Sequence, residues 1–181
     1  MQEYLDEVSS VASSIDQSVL LNVINELNLC SAQSGTIFVA GNGGSAAIAS
    51  HFATDLIKSG YKRGKAIKAI SLVDNVPLVT ATSNDFSFSE VFSWQLKQLS
   101  SDGDIVFVIS SSGNSENIRN LLEVASKLSL KTISLSGFDG GQIASNSNFP
   151  LITHSKIGSY GPVEDSHSIV CHYIALELRK F

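Results

Sequence analysis

Asp104-Ile105-Val106-Phe107-Val108-Ile109 runs straight into Ser110-Ser111-Ser112-Gly113-Asn114-Ser115, and then into a helix-like segment from Glu116 to about Leu128. An unbroken apolar run without alternation is what a parallel strand needs when helices cover both of its faces. The polar stretch that follows therefore lies at the carboxyl end of a buried strand and at the mouth of a helix. The first turn of a helix has free N–H groups and the positive end of the peptide dipole, so an anion can be held there without a full positive charge. Serine hydroxyls add donors. The same arrangement occurs upstream, where Thr36-Ile37-Phe38-Val39-Ala40 enters Gly41-Asn42-Gly43-Gly44-Ser45 and a helix-like segment follows to about Lys58. Glycine lets the backbone approach a ligand closely, and Ser45 closes this loop with a hydroxyl. Neither loop contains lysine or arginine. The anion they suit is a small phosphate ester, as on a phosphosugar, rather than a triphosphate.

Outward from these two junctions, strands are expected at residues 66–72, 132–135 and 149–153, and helices at about 88–99 and 163–179. A short helical piece follows Asp74-Asn75-Val76-Pro77, and turns are expected at Ser83-Asn84-Asp85 and Phe138-Asp139-Gly140-Gly141. Strand and helix alternate. That order predicts an α/β fold, a three-layer α/β/α sandwich on a parallel, doubly wound, flavodoxin-like sheet, with ligands at the carboxyl ends of the strands. The whole chain, 1–181, reads as a single domain. Its first 33 residues form an N-terminal helical segment on which Val19, Leu20, Val23, Ile24 and Leu27 make an apolar stripe, predicted to pack against other subunits.

The net charge of −5 argues against direct binding of nucleic acid, which is held through clustered Lys and Arg. The only basic cluster, Lys58-Ser59-Gly60-Tyr61-Lys62-Arg63-Gly64-Lys65, reads as a solvated loop. Cys30 and Cys171 lie in apolar helical settings and read as small core residues, consistent with a cytoplasmic location. No apolar run approaches the roughly 20 residues that span a bilayer, so no membrane association is expected.

Chemistry concentrates on two helices. His51 and Asp55 share one face of the segment after the first loop. The closing helix carries Glu164, Asp165, His167 and His172. On an ideal helix Asp165 aligns with His172, while Glu164 stands about 80° away and reaches over only with its longer side chain. Two imidazoles and two carboxylates make a nitrogen and oxygen set for zinc, manganese, iron or nickel. His154 and His167 have no such company. Asn84-Asp85 reads equally as an ordinary turn or as a ligand contact. The first loop matches a dinucleotide-binding fingerprint only loosely.

In this order, the elements Gly41-Asn42-Gly43-Gly44-Ser45 with His51, Thr82-Ser83-Asn84-Asp85, Ser110 to Ser115, and the 164–172 helix resemble the sugar isomerase (SIS) domain family, and within it the phosphoheptose (sedoheptulose 7-phosphate) isomerases. The resemblance covers nearly the whole chain. It implies aldose–ketose interconversion of a sugar phosphate, serving heptose synthesis for surface lipopolysaccharide or capsule. Substrate would be held by Asn42, Gly43, Gly44, Ser45, Asn84, Asp85, Ser110, Ser111, Ser112, Ser115 and Glu164. A divalent metal, zinc in the family, would be held by His51, Asp55, Glu164 and His172, with Asp55 as the base and His172 exchanging protons on the substrate. Two of these depart from the family's pattern: Asp55 stands where it has glutamate, and Glu164, for which Asp165 is the alternative, where it has glutamine. The resemblance also implies a homotetramer with its active sites between subunits. The competing expectation is a non-catalytic phosphosugar sensor or replication-initiator adaptor. Retention of His51, an acid at 55 and His172 favours the enzyme.

Overall fold

The computed structural model describes residues 1–181. Five strands, β1 (Thr36–Gly41), β2 (Lys68–Ser71), β3 (Ile105–Ser110), β4 (Lys131–Phe138) and β5 (Phe149–His154), form one sheet in the order β2-β1-β3-β4-β5. Every pairing is parallel. Side chains alternate between the two faces along each strand. Ile37, Val39, Ile105, Phe107 and Ile109 join a core under α2 (Gln17–Ala32), α3 (Gly44–Arg63) and α8 (Tyr160–Glu177). Phe38, Ala40, Val106 and Val108 enter a second core under α5 (Ser93–Leu99), α6 (Glu116–Lys127) and α7 (Gly141–Ser145). The expected three-layer, doubly wound sandwich is therefore the observed one.

Several boundaries differ from expectation for local reasons. The N-terminal segment is two helices, α1 (Gln2–Ser13) and α2, because the Asp16 carboxylate accepts from the N–H groups of Ser18 and Val19 and starts a new helix. α4 (Val76–Asp85), capped by Asn75, carries on through Ser83-Asn84-Asp85, so these residues form its last turn rather than a loop. α3 continues past Lys58 until Gly64, whose φ of 75° ends it in the left-handed conformation. The basic cluster is therefore mostly helical, and Arg63 is tied down, donating to Asn28 Oδ1 at 3.0 Å and to the Leu178 carbonyl at 3.4 Å.

One expectation is overturned. Leu20, Val23, Ile24 and Leu27 are buried in the molecule's own core and Val19 is partly buried against it, so the N-terminal apolar stripe packs on the sheet rather than being kept for another subunit. It is α1 that stands outside, laid along α8, with Tyr4 donating to Asp165 Oδ2 at 2.7 Å and Ser166 donating to the Val8 carbonyl at 3.2 Å.

The topology fixes the place of the site. After β1 the chain turns to one side to form β2, and after β2 it crosses back to form β3 on the other side of β1. The crevice at this reversal lies between the carboxyl ends of β1 and β3. Gly41 pairs with Ile109 there, which brings the glycine loop and the serine loop side by side.

Candidate functional site

Both helices that begin at the crevice, α3 after the glycine loop and α6 after the serine loop, lack a side-chain cap, so their first N–H groups stay available. Gly43, the residue before α3, has φ +54°, and a Cβ built on it would meet open space. A cleft of about 120 Å³ opens here, lined by Asn42, Ser45, Ser110, Ser111, Ser112, Ser115, Tyr160 and Glu164. The decisive atom is the Ser111 hydroxyl: the residue is 6% exposed and its Oγ has no hydrogen-bond partner. Buried hydroxyls are rarely left unpaired, so an orphan lining a cleft marks a place for a ligand.

The serine loop is held in shape from the β4 side. Ile143 N–H donates to the Gly113 carbonyl at 3.0 Å, and Gln142 N–H donates to Asn114 Oδ1 at 3.2 Å. Gly113 N–H donates to Ser110 Oγ at 3.1 Å. Gly113 has φ +65°, and a Cβ there would come within 2.2 Å of the Gly140 carbonyl oxygen, so no other residue fits unchanged.

The second centre lies further along α3 and α8. The two helices run side by side in one direction: the Glu164 carboxylate lies over Gly44, His172 meets Asp55, and Ser59 donates to the Ala175 carbonyl. His51 Nε2 stands 3.4 Å from Asp55 Oδ2, and His172 Nε2 stands 3.5 Å from the same oxygen. The three ligand atoms all lie within 4.8 Å of one another, and the two rings meet edge to face with centroids 5.0 Å apart. Zinc bound at about 2.0–2.1 Å in a tetrahedron separates its ligand atoms by about 3.3–3.4 Å, so this donor set fits such a cation. Three protein ligands leave one position open, as metal sites that act on substrates do. Asp55 is nearly buried, while the two imidazoles are about half exposed.

Not every expected residue joins these centres. Glu164 is outside the His51, Asp55, His172 group and lines the serine cleft instead. Asp165 points the other way, onto Tyr4 of α1. Asn84 and Asp85 are exposed at the end of α4, Asn84 donating to Asp85 Oδ1 at 3.0 Å, and neither lines the cleft. His167 is a core residue: its Nε2 lies 3.0 Å from Thr153 Oγ1, and burial pushes its pKa down to about 4. Burial likewise pushes the Cys30 thiol up to about 11 and the Cys171 thiol well above its usual range, so both cysteines stay protonated in the core.

Three residues escaped the sequence reading. Tyr160 lines the cleft from the first turn of α8, its ring against Phe138 at 5.2 Å, and no motif marks it. Ser168, one turn after Glu164, lines the same hollow as His51, Asp55 and His172. Asn117 pairs with Asn42, and only its position two residues after Ser115 hinted at it.

A cleft rich in hydroxyl and backbone donors, with the Glu164 carboxylate on one wall, at the switch point of a parallel sheet and beside a His–Asp–His cluster, is the candidate ligand site of an α/β domain. The family model for the SIS domain matches residues 3–137, and the chain belongs to that family, in its phosphoheptose isomerase branch. The probable phosphoheptose isomerase of Thermoplasma volcanium is 34% identical over 178 residues, which cover 96% of this chain and 88% of the relative. The phosphoheptose isomerase of Syntrophotalea carbinolica is 32% identical, covering 99% and 92%. Among solved structures, phosphoheptose isomerase GmhA from Neisseria gonorrhoeae superposes with a TM-score of 0.88 at 27% identity, covering 99% of this chain and 95% of that one.

Proposed function

We propose that the chain interconverts sedoheptulose 7-phosphate and D-glycero-D-manno-heptose 7-phosphate, an aldose–ketose isomerisation supplying heptose for surface glycan, lipopolysaccharide or capsule. The observation that carries this reading is the spacing of the two centres along one pair of helices. From Gly44 to His51 is about 10 Å, and from Glu164 to His172 about 12 Å, at about 1.5 Å rise per residue. An extended seven-carbon chain measures about 10 Å from C1 to its terminal phosphorus, at bond lengths near 1.5 Å. The serine cleft, which Glu164 lines, and the histidines thus lie about one extended heptose phosphate apart along these helices, and the reading puts the phosphate at the first and C1 and C2 at the second. A triose phosphate, about half as long, does not span that distance.

In this reading the phosphate accepts from Ser111, Ser112 and Ser115 and from the free N–H groups of α6, while Asn42, Gly43, Gly44 and Ser45 contact the sugar. His51, Asp55 and His172 would hold a divalent cation, in our reading zinc, which when bound would polarise the substrate's carbonyl and hydroxyl oxygens. Both imidazoles make their nearest approach to Asp55 Oδ2, so Oδ1 is the oxygen assigned to proton transfer. It removes the proton from C1 of the ketose, giving an enediolate, and returns a proton to C2, which leaves the carbonyl at C1. His172, whose Nε2 faces Asp55 and would hold the cation, is assigned proton exchange between the two substrate oxygens through its Nδ1. Asp55 has one methylene fewer than glutamate, so α3 and α8 must hold the substrate closer to the backbone of α3. Glu164 and Asp85 remain assigned to the sugar hydroxyls, with Asn84 beside Asp85.

We retain the homotetramer on a different face from the buried stripe. Ile169, Tyr173 and Leu176 of α8 and Ile57 and Tyr61 of α3 are exposed apolar side chains on the two helices that carry the histidines. Covering them would enclose His51 and His172. No helix is long and apolar enough to cross a membrane. The two buried free cysteines are in keeping with the cytoplasm.

The test is to incubate the purified protein with sedoheptulose 7-phosphate and with pentose and hexose phosphates, following products by NMR. The reading predicts conversion of the heptulose phosphate in preference to the shorter sugars. Binding without conversion of any of them would assign the chain to sensing instead.

A further inference from the structure

We propose that Asn117 is a positioning residue for this reaction: its amide, locked to that of Asn42, holds the sugar-contacting glycine loop in register with the serine cleft. The proposal rests on the isomerase reading above. Asn42 Nδ2 donates to Asn117 Oδ1 at 2.8 Å, and Asn117 Nδ2 donates back to Asn42 Oδ1 at 2.9 Å. The two residues are 75 apart in sequence and come from opposite sides of the switch point, one from the turn after β1 and one from the second position of α6. Asn117 is 2% exposed, on the same inward side as Ile118, Leu121 and Leu122. Asparagine is a poor helix former, and a leucine there would extend the apolar face. A buried amide at that position therefore needs a reason beyond packing.

The reason is what the pair leaves free. Each amide has two N–H donors and two lone pairs, and the reciprocal bonds use one of each. Asn42 lines the cleft, so it keeps one donor and one acceptor for substrate hydroxyls while its rotation is blocked. The serine loop needs no such help, because Ile143 and Gln142 already fasten it from the β4 side. The structure thus divides the work. Gln142 and Ile143 fix the phosphate anchor, and Asn117 fixes the sugar contact.

The experiment measures kcat and KM for sedoheptulose 7-phosphate, and the inhibition constant of inorganic phosphate, in Asn117→Ala, Asn117→Asp, Asn42→Ala and the double alanine variant. Asn117→Ala should lower kcat/KM about tenfold, the effect of losing two ordered hydrogen bonds, and leave phosphate inhibition within about twofold of wild type. Asn117→Asp, which still accepts from Asn42 but sets a carboxylate oxygen against Asn42 Oδ1, should lose at least as much kcat/KM as the alanine variant, and the thermal unfolding of each variant separates lost positioning from lost folding. The double variant should lose no more than the worse single one. Unchanged kinetics in Asn117→Ala, an equal loss of phosphate binding, or additive losses in the double variant would each overturn the proposal. If the wild type fails to convert the heptulose phosphate, the functional reading fails instead, and the same comparison is then made on its binding by calorimetry.

Discussion

Removing the Ser111 hydroxyl should strengthen the free protein and weaken its hold on phosphate. In the free protein Ser111 Oγ is buried and has no partner within the protein. An unsatisfied buried polar group costs about 1–3 kcal/mol, and Ser111→Ala relieves that cost at the loss of one atom. Taking the lower figure, a gain of about 1 kcal/mol raises the melting temperature of a chain this size by about 2–4 °C. With phosphate bound, the same hydroxyl donates to a charged oxygen. Hydrogen bonds to charged groups contribute about 1.5–3 kcal/mol, so the variant should bind inorganic phosphate and sugar phosphate about 10- to 100-fold more weakly. Thermal unfolding across a phosphate titration reads both effects in one series. The two melting curves should cross, the variant more stable without phosphate and the wild type more stable at high phosphate. A variant that is less stable without phosphate and shifts as far as wild type with it would show that Ser111 is a structural hydroxyl, and would remove the anchor from this loop.

Other outcomes follow from the same geometry. His167, fully buried with its pKa pushed down to about 4, favours the neutral form when folded, whereas unfolded histidine titrates near 6.5. Its contribution is therefore present above about pH 6.5 and is lost as pH falls towards 4, about 3 kcal/mol in all. Denaturant unfolding at pH 7.5 and 4.5 should show that loss in the wild type and a smaller one in His167→Gln, and an equal slope in both would contradict it. Asp55→Asn and His172→Ala should each reduce turnover by at least about a hundredfold with folding intact, and Asp55→Glu should also lose activity because the site is shaped around the shorter side chain. Full activity in Asp55→Asn would remove the base. Light scattering should report four chains per particle, and substituting Ile169 or Tyr173 with aspartate should dissociate it; a fully active monomer in the wild type would exclude a shared site.

The strand-to-helix junctions could be read from the chain because their signals are local: an unbroken apolar strand, then glycines or serines, then a periodic helix. His51 and Asp55 were legible for the same reason, four residues apart on one helix. The errors came from tertiary choices. The stripe from Leu20 to Leu27 looked the same whether it covered the sheet or another subunit, and only the position of α2 under the sheet decides. Glu164 and Asp165 differ by one residue, yet the pitch of α8 against α3 sends one to the serine cleft and the other to Tyr4. Tyr160 lines the cleft from α8 and Asn117 meets Asn42 across the switch point, where distance along the chain conceals proximity. The stability of β4 over 131–138, longer than its apolar stretch, comes from having β3 and β5 on either side.

In the proposed reaction His51, Asp55 and His172 act on a phosphosugar around one cation. Turnover of sedoheptulose 7-phosphate should be measured by NMR on the purified protein, after exhaustive chelation, and again after zinc is returned, with metal content determined at each stage. Turnover should disappear with the metal and return as one cation binds per chain. Undiminished turnover in protein shown to contain no metal would contradict that role for the cation.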